Sequence, residues 1–155
     1  MVNDGGLRED GMWNILNFAP IRNLKTVLFL NVHFHGRATS KSMKFLNVDA
    51  LIIRSCSFEN YSDIIFNVEN CQSFWIQSSQ FERCTRIMDS WDYVGVIGNL
   101  KNVGILQVNS CAFKNCFLLR ELSGGYTERI GGMLFMGVNG NEINDCRCDD
   151  SNPIC

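Results

Sequence analysis

The chain contains 155 residues, of which 46% are hydrophobic and 19% are charged, and its formal net charge at neutral pH is −2. This length and composition predict one domain with a buried core and exclude a disordered chain. The near-zero charge gives no electrostatic basis for binding nucleic acid. No apolar run approaches the roughly 18 residues of a membrane-spanning helix.

The first 22 residues precede the first clear repeat. The opening stretch, MVNDGGLREDG, is polar and does not have the pattern of a signal peptide. Residues 13–18 are mostly apolar. Because terminal repeats are usually atypical, we expect residues 1–22 to form a cap or a partial coil below the repeats.

A twelve-residue pattern then recurs four times, in residues 23–34, 47–58, 70–81 and 102–113. Each copy opens with Asn, closes with Phe and alternates apolar with other residues, which is typical of a strand with one inward face. A small polar residue of the kind found in turns follows each strand. These residues are Asn31, Ser55, Ser78 and Ser110.

Measured from Phe to Phe, the first two periods are 24 and 23 residues and the third is 32. A period this short has no room for a long helix but fits a coil of three short strands, which needs neighbours above and below to bury its inward face. We therefore predict an all-β chain. Within residues 23–146, equivalent residues of successive coils should stack in ladders, Asn on Asn and Phe on Phe. A degraded fifth copy is expected to end at Ile143, giving about five coils.

The repeats resemble those of right-handed parallel β-helices of the pectate-lyase-like superfamily. A weaker similarity, to surface repeats of the polymorphic outer-membrane type, lies in residues 131–134 (GGML) and in the Phe-x-Asn motifs at residues 58–60 and 113–115. This chain departs from that family because one residue, not two, separates Phe from Asn. The resemblance implies a right-handed parallel β-helix with two inserted loops, residues 85–99 and 117–130, and it implies little about activity.

Eight cysteines favour disulfides and an oxidising compartment. Cys84, Cys116 and Cys146 each follow the closing apolar residue of successive coils by three places, and stacked neighbours are close enough to be bridged. Cys84 with Cys116 is the preferred pair. The alternative is that the cysteines are small apolar residues of a buried ladder.

The C-terminal residues 147–155 follow the last repeat. Together with Cys146, they place Cys148 and Cys155 in a short segment that is predicted to be a cysteine-rich cap. Its spacing matches no zinc module.

The outward positions of the repeats contain Leu28, Ile52, Trp75 and Gln107, with Gln77 two places after Trp75. The surveyed outward positions include no carboxylate, whereas glycoside hydrolysis needs two, so we name no catalytic residue. A contiguous apolar row marks a surface for a glycan or a protein partner. The alternative is that another segment of the chain covers this row.

Two further groups of residues are candidates for a site. The first insertion contains Asp89, Trp91 and Asp92, which with Arg120 of the second insertion form a predicted loop site, since loops on a rigid scaffold often carry function. His33 and His35 point to the same side of a strand and have no evident third ligand. We therefore predict no metal site and no cofactor.

These observations predict a non-enzymatic, extracellular or surface-exposed segment with a structural, adhesive or carbohydrate-binding role, either on its own or as part of a longer chain or assembly. One alternative is a polysaccharide lyase or hydrolase of the same fold, in which Asp89, Asp92 and Arg120 would converge. Another is a cytoplasmic interaction module with reduced thiols that docks through Leu28, Ile52 and Trp75. No membrane span and no nucleic-acid partner are expected.

Overall fold

The computed structural model describes residues 12–14, 19–36, 42–88, 96–122, 126–130, 135–138 and 141–148, with side chains for residues 19–36, 42–87, 96–119 and 144–147. Within these ranges every element is a strand, which confirms the all-β prediction, and no helix has the length and hydropathy needed to cross a bilayer. The strands are β1 (Met12–Asn14), β2 (Ile21–Leu30), β3 (His33–His35), β4 (Met43–Arg54), β5 (Ser57–Glu59), β6 (Phe66–Gln77), β7 (Gln80–Glu82), β8 (Thr85–Met88), β9 (Gly98–Asn109), β10 (Ala112–Lys114), β11 (Phe117–Leu122), β12 (Tyr126–Ile130), β13 (Phe135–Val138), β14 (Asn141–Asn144) and β15 (Arg147–Cys148).

Two parallel sheets contain most of these strands. The long sheet has the order β13-β9-β6-β4-β2, with β14 also paired to β9, and the short sheet has the order β1-β3-β5-β7-β10-β15. The register pairs Phe34 with Phe58, Phe58 with Phe81 and Phe81 with Phe113. Equivalent residues of successive repeats therefore stack, as the sequence predicts.

Residues with a left-handed backbone conformation mark the bends of each repeat. Their φ values lie between 48° and 58°, in a region that Asn enters more easily than most other residues. One series bends the long strands near their middle, a second separates the long strands from the short strands, and a third follows the short strands. The three series are Asn23, Asn47, Asn70 and Asn102; Asn31, Ser55, Ser78, Ser110 and Asp145; and Asn60, Arg83 and Asn115.

A column of stacked phenylalanine rings fills the interior beside the short sheet. The ring centroids of Phe34, Phe58, Phe81 and Phe113 are separated by 4.7, 4.9 and 5.0 Å, and adjacent rings are within 9° of parallel. These separations match the strand spacing of about 4.8 Å, so each ring packs on the ring of the next repeat without leaving a gap. Buried aliphatic side chains of the long sheet, such as Leu51 and Ile53, complete this core.

The second insertion is a strand pair and not the predicted loop. β11 pairs in antiparallel fashion with β12 and in parallel fashion with β8, so that the three strands form a separate sheet. The reason lies in the sequence: the β-prone runs FLLREL and YTERI flank a Ser-Gly-Gly segment, which is typical of a hairpin.

The fifth repeat has a different register from the predicted one. Ile143 pairs with Val108, and Cys148 pairs with Phe113, so Cys148 and not Ile143 occupies the closing position. Cys146 consequently lies beside Cys111 and not in line with Cys84 and Cys116. The predicted alignment of the fifth repeat was wrong because it placed the apolar residue Ile143 at the closing position.

Candidate binding site on the long sheet

An outward row of four residues crosses the long sheet. The register aligns Leu28, Ile52, Trp75 and Gln107 on β2, β4, β6 and β9. Leu28 is 54% exposed, and the other three side chains are partly exposed. Because Phe74 is buried and side chains alternate along a strand, Trp75 faces outward. The predicted row is present on the surface, and its role in binding stays a prediction.

A second outward row lies two residues further along the same strands. It aligns Leu30, Arg54, Gln77 and Asn109. The Nε atom of Arg54 donates a 3.0 Å hydrogen bond to Oε1 of Gln77, across β4 and β6. This contact positions the Gln77 amide on the same face as Trp75, two residues away.

An open polar groove of about 470 Å³ lies on the same strands, near their central bend. Its wall contains a ladder of asparagine side chains in which Nδ2 of each residue donates to Oδ1 of the previous one, at 3.0, 2.9 and 2.9 Å. Since an amide has two N–H groups and two acceptor lone pairs, these bonds leave hydrogen-bonding capacity at the ladder. The groove is lined by Asn47, Asp49, Asn70, Cys71, Gln72, Asn102 and Gly104.

Gly104 lines the groove at a point where β9 approaches β6 closely. A Cβ atom at this position would lie 2.7 Å from the carbonyl oxygen of Gln72, so a larger residue would force the backbone apart. On the opposite side, Nε2 of Gln72 lies 3.4 Å from Oδ1 of Asp49. The groove therefore combines a carboxylate with several amides, which suits a neutral ligand with many hydroxyl groups.

Sequence reasoning missed this groove. It surveyed the positions six and four places before each closing Phe, whereas Asp49 lies nine places before Phe58. The recurring Asn was correctly predicted to form a ladder. The bend that places the ladder beside a groove depends on the left-handed conformation of Asn47, Asn70 and Asn102, which the sequence pattern does not indicate.

The predicted loop site is largely outside the described residues. Asp89, Trp91 and Asp92 are among the residues that the structure does not describe, and Arg120 is described only by its backbone in β11, where it pairs with Met88 and Glu128. The convergence of Asp89, Asp92 and Arg120 thus stays a prediction.

The short sheet carries a cluster of ionisable residues that the sequence pattern alone does not bring together. Glu59 lies in register with His35, and its carboxylate oxygens are 3.6 Å from Nε2 of His33 and 3.7 Å from Nδ1 of His35. Nη2 of Arg83 is 3.5 Å from the same carboxylate, and Ser57 contacts the His33 ring. Exposed pairs of this kind contribute about 0–1 kcal/mol each, so the cluster adds little stability.

No group of three or more His, Cys, Asp or Glu side chains in the described ranges is arranged to hold a metal ion. The cluster of His33, His35 and Glu59 on the short sheet does not form such a group either.

Six cysteines have described side chains, and each follows directly after a left-handed residue: Cys56, Cys71, Cys84, Cys111, Cys116 and Cys146. A hydrogen bond with Cys116, together with burial, raises the pKa of Cys84, so these two thiols are neighbours on successive repeats, as the sequence predicts. Whether they form a disulfide stays a prediction. Cys148 and Cys155 lie outside the described side chains.

Comparisons with family models, curated proteins and solved structures found no match for this chain. The geometry of the molecule is therefore the only support for a functional assignment.

Proposed function

We propose that this chain is a segment of a right-handed parallel β-helix, with about five coils, that binds glycans without cleaving them. The in-register parallel sheets and the three series of left-handed bends support the architecture. The right hand follows from the general preference of parallel β-connections. We further propose that the segment is extracellular or exposed at a cell surface, where glycans are abundant.

The observation that carries the proposed function is the position of Trp75. Its indole faces outward in the same row as Gln107 and two residues before Gln77 on β6, and the amide-lined groove lies on the same strands. An indole presents a flat apolar surface, against which the C–H face of a sugar ring can stack, while side-chain amides bind its hydroxyl groups. Because equivalent side chains recur at the strand spacing of about 4.8 Å, the surface suits a polymer with a short repeat.

Affinity electrophoresis against a panel of neutral and acidic polysaccharides tests this proposal. We expect retardation of the wild-type chain by at least one polymer and its loss in Trp75→Ala. Lys44→Ala is the control, because Lys44 is exposed on the neighbouring strand β4 but lies before the bend. Failure of every polymer to retard the wild type would overturn the proposal.

The same polymers distinguish binding from catalysis. If incubation with wild-type protein releases reducing ends or unsaturated products, the proposed lack of turnover is wrong and the lyase or hydrolase alternative is correct. If Trp75→Ala keeps full binding while Trp91→Ala loses it, binding belongs to the first insertion and not to the long sheet.

A second candidate function is docking of a protein on the same face. It is favoured by Leu28, which is 54% exposed beside the partly exposed Ile52. In this case Trp75→Asp would change the oligomeric state or abolish a protein complex in size-exclusion chromatography with light scattering, and no polysaccharide would bind.

A further inference from the structure

One side chain per repeat occupies the corner between a long strand and the short strand that follows it. In chain order these residues are Val32, Cys56, Ser79, Cys111 and Cys146. Backbone hydrogen bonds connect successive corners, such as the 2.8 Å bond that the Arg147 nitrogen donates to the Cys111 carbonyl oxygen. Because Ser79 separates Cys56 from Cys111, two cysteines meet at successive corners only where Cys111 adjoins Cys146.

The register places Cys111 directly beside Cys146. The paired residues before and after them are Asn109 with Asn144 and Ala112 with Arg147. Adjacent strands lie about 4.8 Å apart, and a disulfide needs Cα atoms that are about 4.4–6.8 Å apart. The backbone at this corner therefore has a spacing that a disulfide can bridge.

The two sulfur atoms have matching orientations. Sγ of Cys111 donates to the carbonyl oxygen of Asn109 at 3.3 Å, and Sγ of Cys146 donates to that of Asn144 at 3.5 Å. Sγ of Cys146 is also 3.5 Å from the carbonyl oxygen of Val108, on the strand that leads to Cys111. Burial and the neighbouring Cys146 thiol together raise the pKa of Cys111 to about 11. The two thiols are therefore neighbours across the last two repeats.

Exposure distinguishes Cys146 from the other cysteines. Among the six cysteine side chains that the structure describes, Cys146 is the one that is not buried, whereas Cys111 is 2% exposed. A reagent in solution can therefore reach the sulfur of Cys146, and Cys111 is the buried thiol beside it.

The last repeat has little pairing to hold it. β14 pairs with β9 over four residues and β15 pairs with β10 over two, whereas β6 and β9 pair over ten. Cys146 lies between β14 and β15. A covalent bond from this corner to Cys111 would therefore hold both strands on the preceding repeat.

We propose that Cys111 and Cys146 form a reversible disulfide that fastens β14 and β15 to the preceding repeat. This bond is separate from the predicted Cys84 and Cys116 pair, and it does not depend on glycan binding. In the reduced form both thiols keep their hydrogen bonds to the backbone, and Cys111 titrates as a thiol.

The oxidant is a small-molecule disulfide, and the bond forms by two successive exchanges. Cys146 loses its proton and its sulfur attacks one sulfur of the small disulfide, whose S–S bond breaks and releases one thiolate. Cys111 then loses its proton and attacks the sulfur of Cys146, which breaks the mixed disulfide and releases a second thiolate. The two released thiolates take up the two protons, so the cysteines are oxidised and the small disulfide is reduced to two thiols.

Oxidation of the folded, reduced chain by oxidised glutathione tests this proposal. Thiols are then blocked by alkylation, and the chain is digested with trypsin without reduction. Residues 102–114 contain Cys111 as their one cysteine, and residues 130–147 contain Cys146 as theirs. We expect these two peptides to be linked and to separate on reduction. A mixed disulfide that stays on Cys146, a link from Cys146 to another cysteine, or no reaction would overturn the proposal.

Two variants test the order of the exchanges. Cys111→Ser should accumulate the mixed disulfide on Cys146, and Ser79 shows that a hydroxyl fits this corner. Cys71→Ser is the matched control, because Cys71 is also buried but its partners in the register are Val48 and Val103. It should form the link as the wild type does. If Cys111→Ser accumulates no mixed disulfide, Cys146 is not the attacking thiol and the proposal is wrong.

Hydrogen exchange of the wild-type chain measures the fastening and requires no variant. We expect slower exchange of the β14 and β15 amides in the oxidised form than in the reduced form, with β6 unchanged as an internal reference. Equal exchange of β14 in the two forms would show that the bond does not hold the last repeat and would overturn that part of the proposal.

Discussion

Ser79 and Cys111 fill the same corner of successive repeats and make the same hydrogen bond. Oγ of Ser79 donates to the carbonyl oxygen of Gln77 at 2.8 Å, and Sγ of Cys111 donates to that of Asn109 at 3.3 Å. Both side chains are almost fully buried. The corner therefore accommodates a small side chain that carries one donor, although the first repeat has Val32 at the equivalent position.

Stability should fall at alkaline pH because of these thiols. Burial raises the pKa of Cys111 from 9.0 to about 11, and burial likewise raises the pKa of Cys56 and Cys71. A group whose pKa is higher in the folded state contributes stability that is complete below its unfolded pKa. For Cys111 this contribution is lost as pH rises from about 9 to about 11.

Urea denaturation at pH 7.5 and at pH 10 measures this loss. Cys111→Ser is the matched variant, since Ser79 shows that a hydroxyl fits this corner and a hydroxyl does not titrate in this range. We expect a smaller alkaline loss in Cys111→Ser than in the wild type. An identical pH dependence of the two proteins would mean that ionisation of Cys111 does not contribute to the alkaline loss of stability.

Two substitutions at Asn70 should separate the free-energy cost of its left-handed backbone from the contribution of its side-chain hydrogen bonds. Its φ is 56°, and its amide lies in the middle of the ladder. Asn70→Leu should lose about 1–2 kcal/mol from the left-handed conformation and about 0.5–1.5 kcal/mol from each lost hydrogen bond. Asn70→Gly permits the same φ and should lose mainly the hydrogen bonds.

The free energy of unfolding of both variants, measured by chemical denaturation, tests this partition. The ladder is exposed and not buried, so we expect no further penalty for unsatisfied buried amides. If Asn70→Gly and Asn70→Leu were equally destabilised, the backbone conformation would not be the main reason for Asn here.

Tyr61 should tolerate removal of its hydroxyl group. The side chain is 1% exposed, and its hydroxyl is buried without a hydrogen-bond partner in the described part of the chain. Deleting an unsatisfied buried group removes a desolvation penalty. We expect Tyr61→Phe to raise stability by up to about 1 kcal/mol and Tyr61→Ala to lower it by about 3–5 kcal/mol.

Thermal unfolding followed by circular dichroism compares these two variants with the wild type. A loss of more than about 1 kcal/mol in Tyr61→Phe would reveal a partner for the hydroxyl group, such as an ordered water.

A thiol count should decide the oxidation state of the Cys84 and Cys116 pair. In protein isolated without reductant and then denatured, we expect fewer than eight free thiols, with the Cys84 and Cys116 peptides linked in the non-reduced digest. A bridge across this loop would stabilise the fold by about 3–4 kcal/mol. Eight free thiols would contradict the disulfide prediction and favour a reducing compartment.

The internal repeats made much of the fold predictable. The Asn-to-Phe pattern was sufficient to align Phe58 with Phe81 and Ile52 with Trp75, because a repeated strand pattern with inward and outward faces has one register that buries its apolar face. The last repeat was misaligned because Cys148 stands where the other repeats have Phe. A pattern of large apolar residues does not match Cys with Phe, since the two side chains differ so much in size.

The candidate site was less predictable than the fold. The outward position of Trp75 follows from alternation alone, so sequence reasoning found it. The groove depends on a backbone bend at Asn70 and on the close approach of Gly104 to the Gln72 carbonyl, and neither is a property of the side-chain pattern. The position of Glu59 beside His33 and His35 required the register of β3 and β5.

The pairing of β6 with β9 has a practical consequence for protein engineering. Ten residue pairs stay in register from Phe66 with Gly98 to Gln77 with Asn109, although the period between them is 32 residues and those before it are 24 and 23. Extra chain after β8 is thus accommodated without displacing either strand. This segment is a natural grafting point, where peptides of varied length can be displayed while the scaffold keeps its alignment.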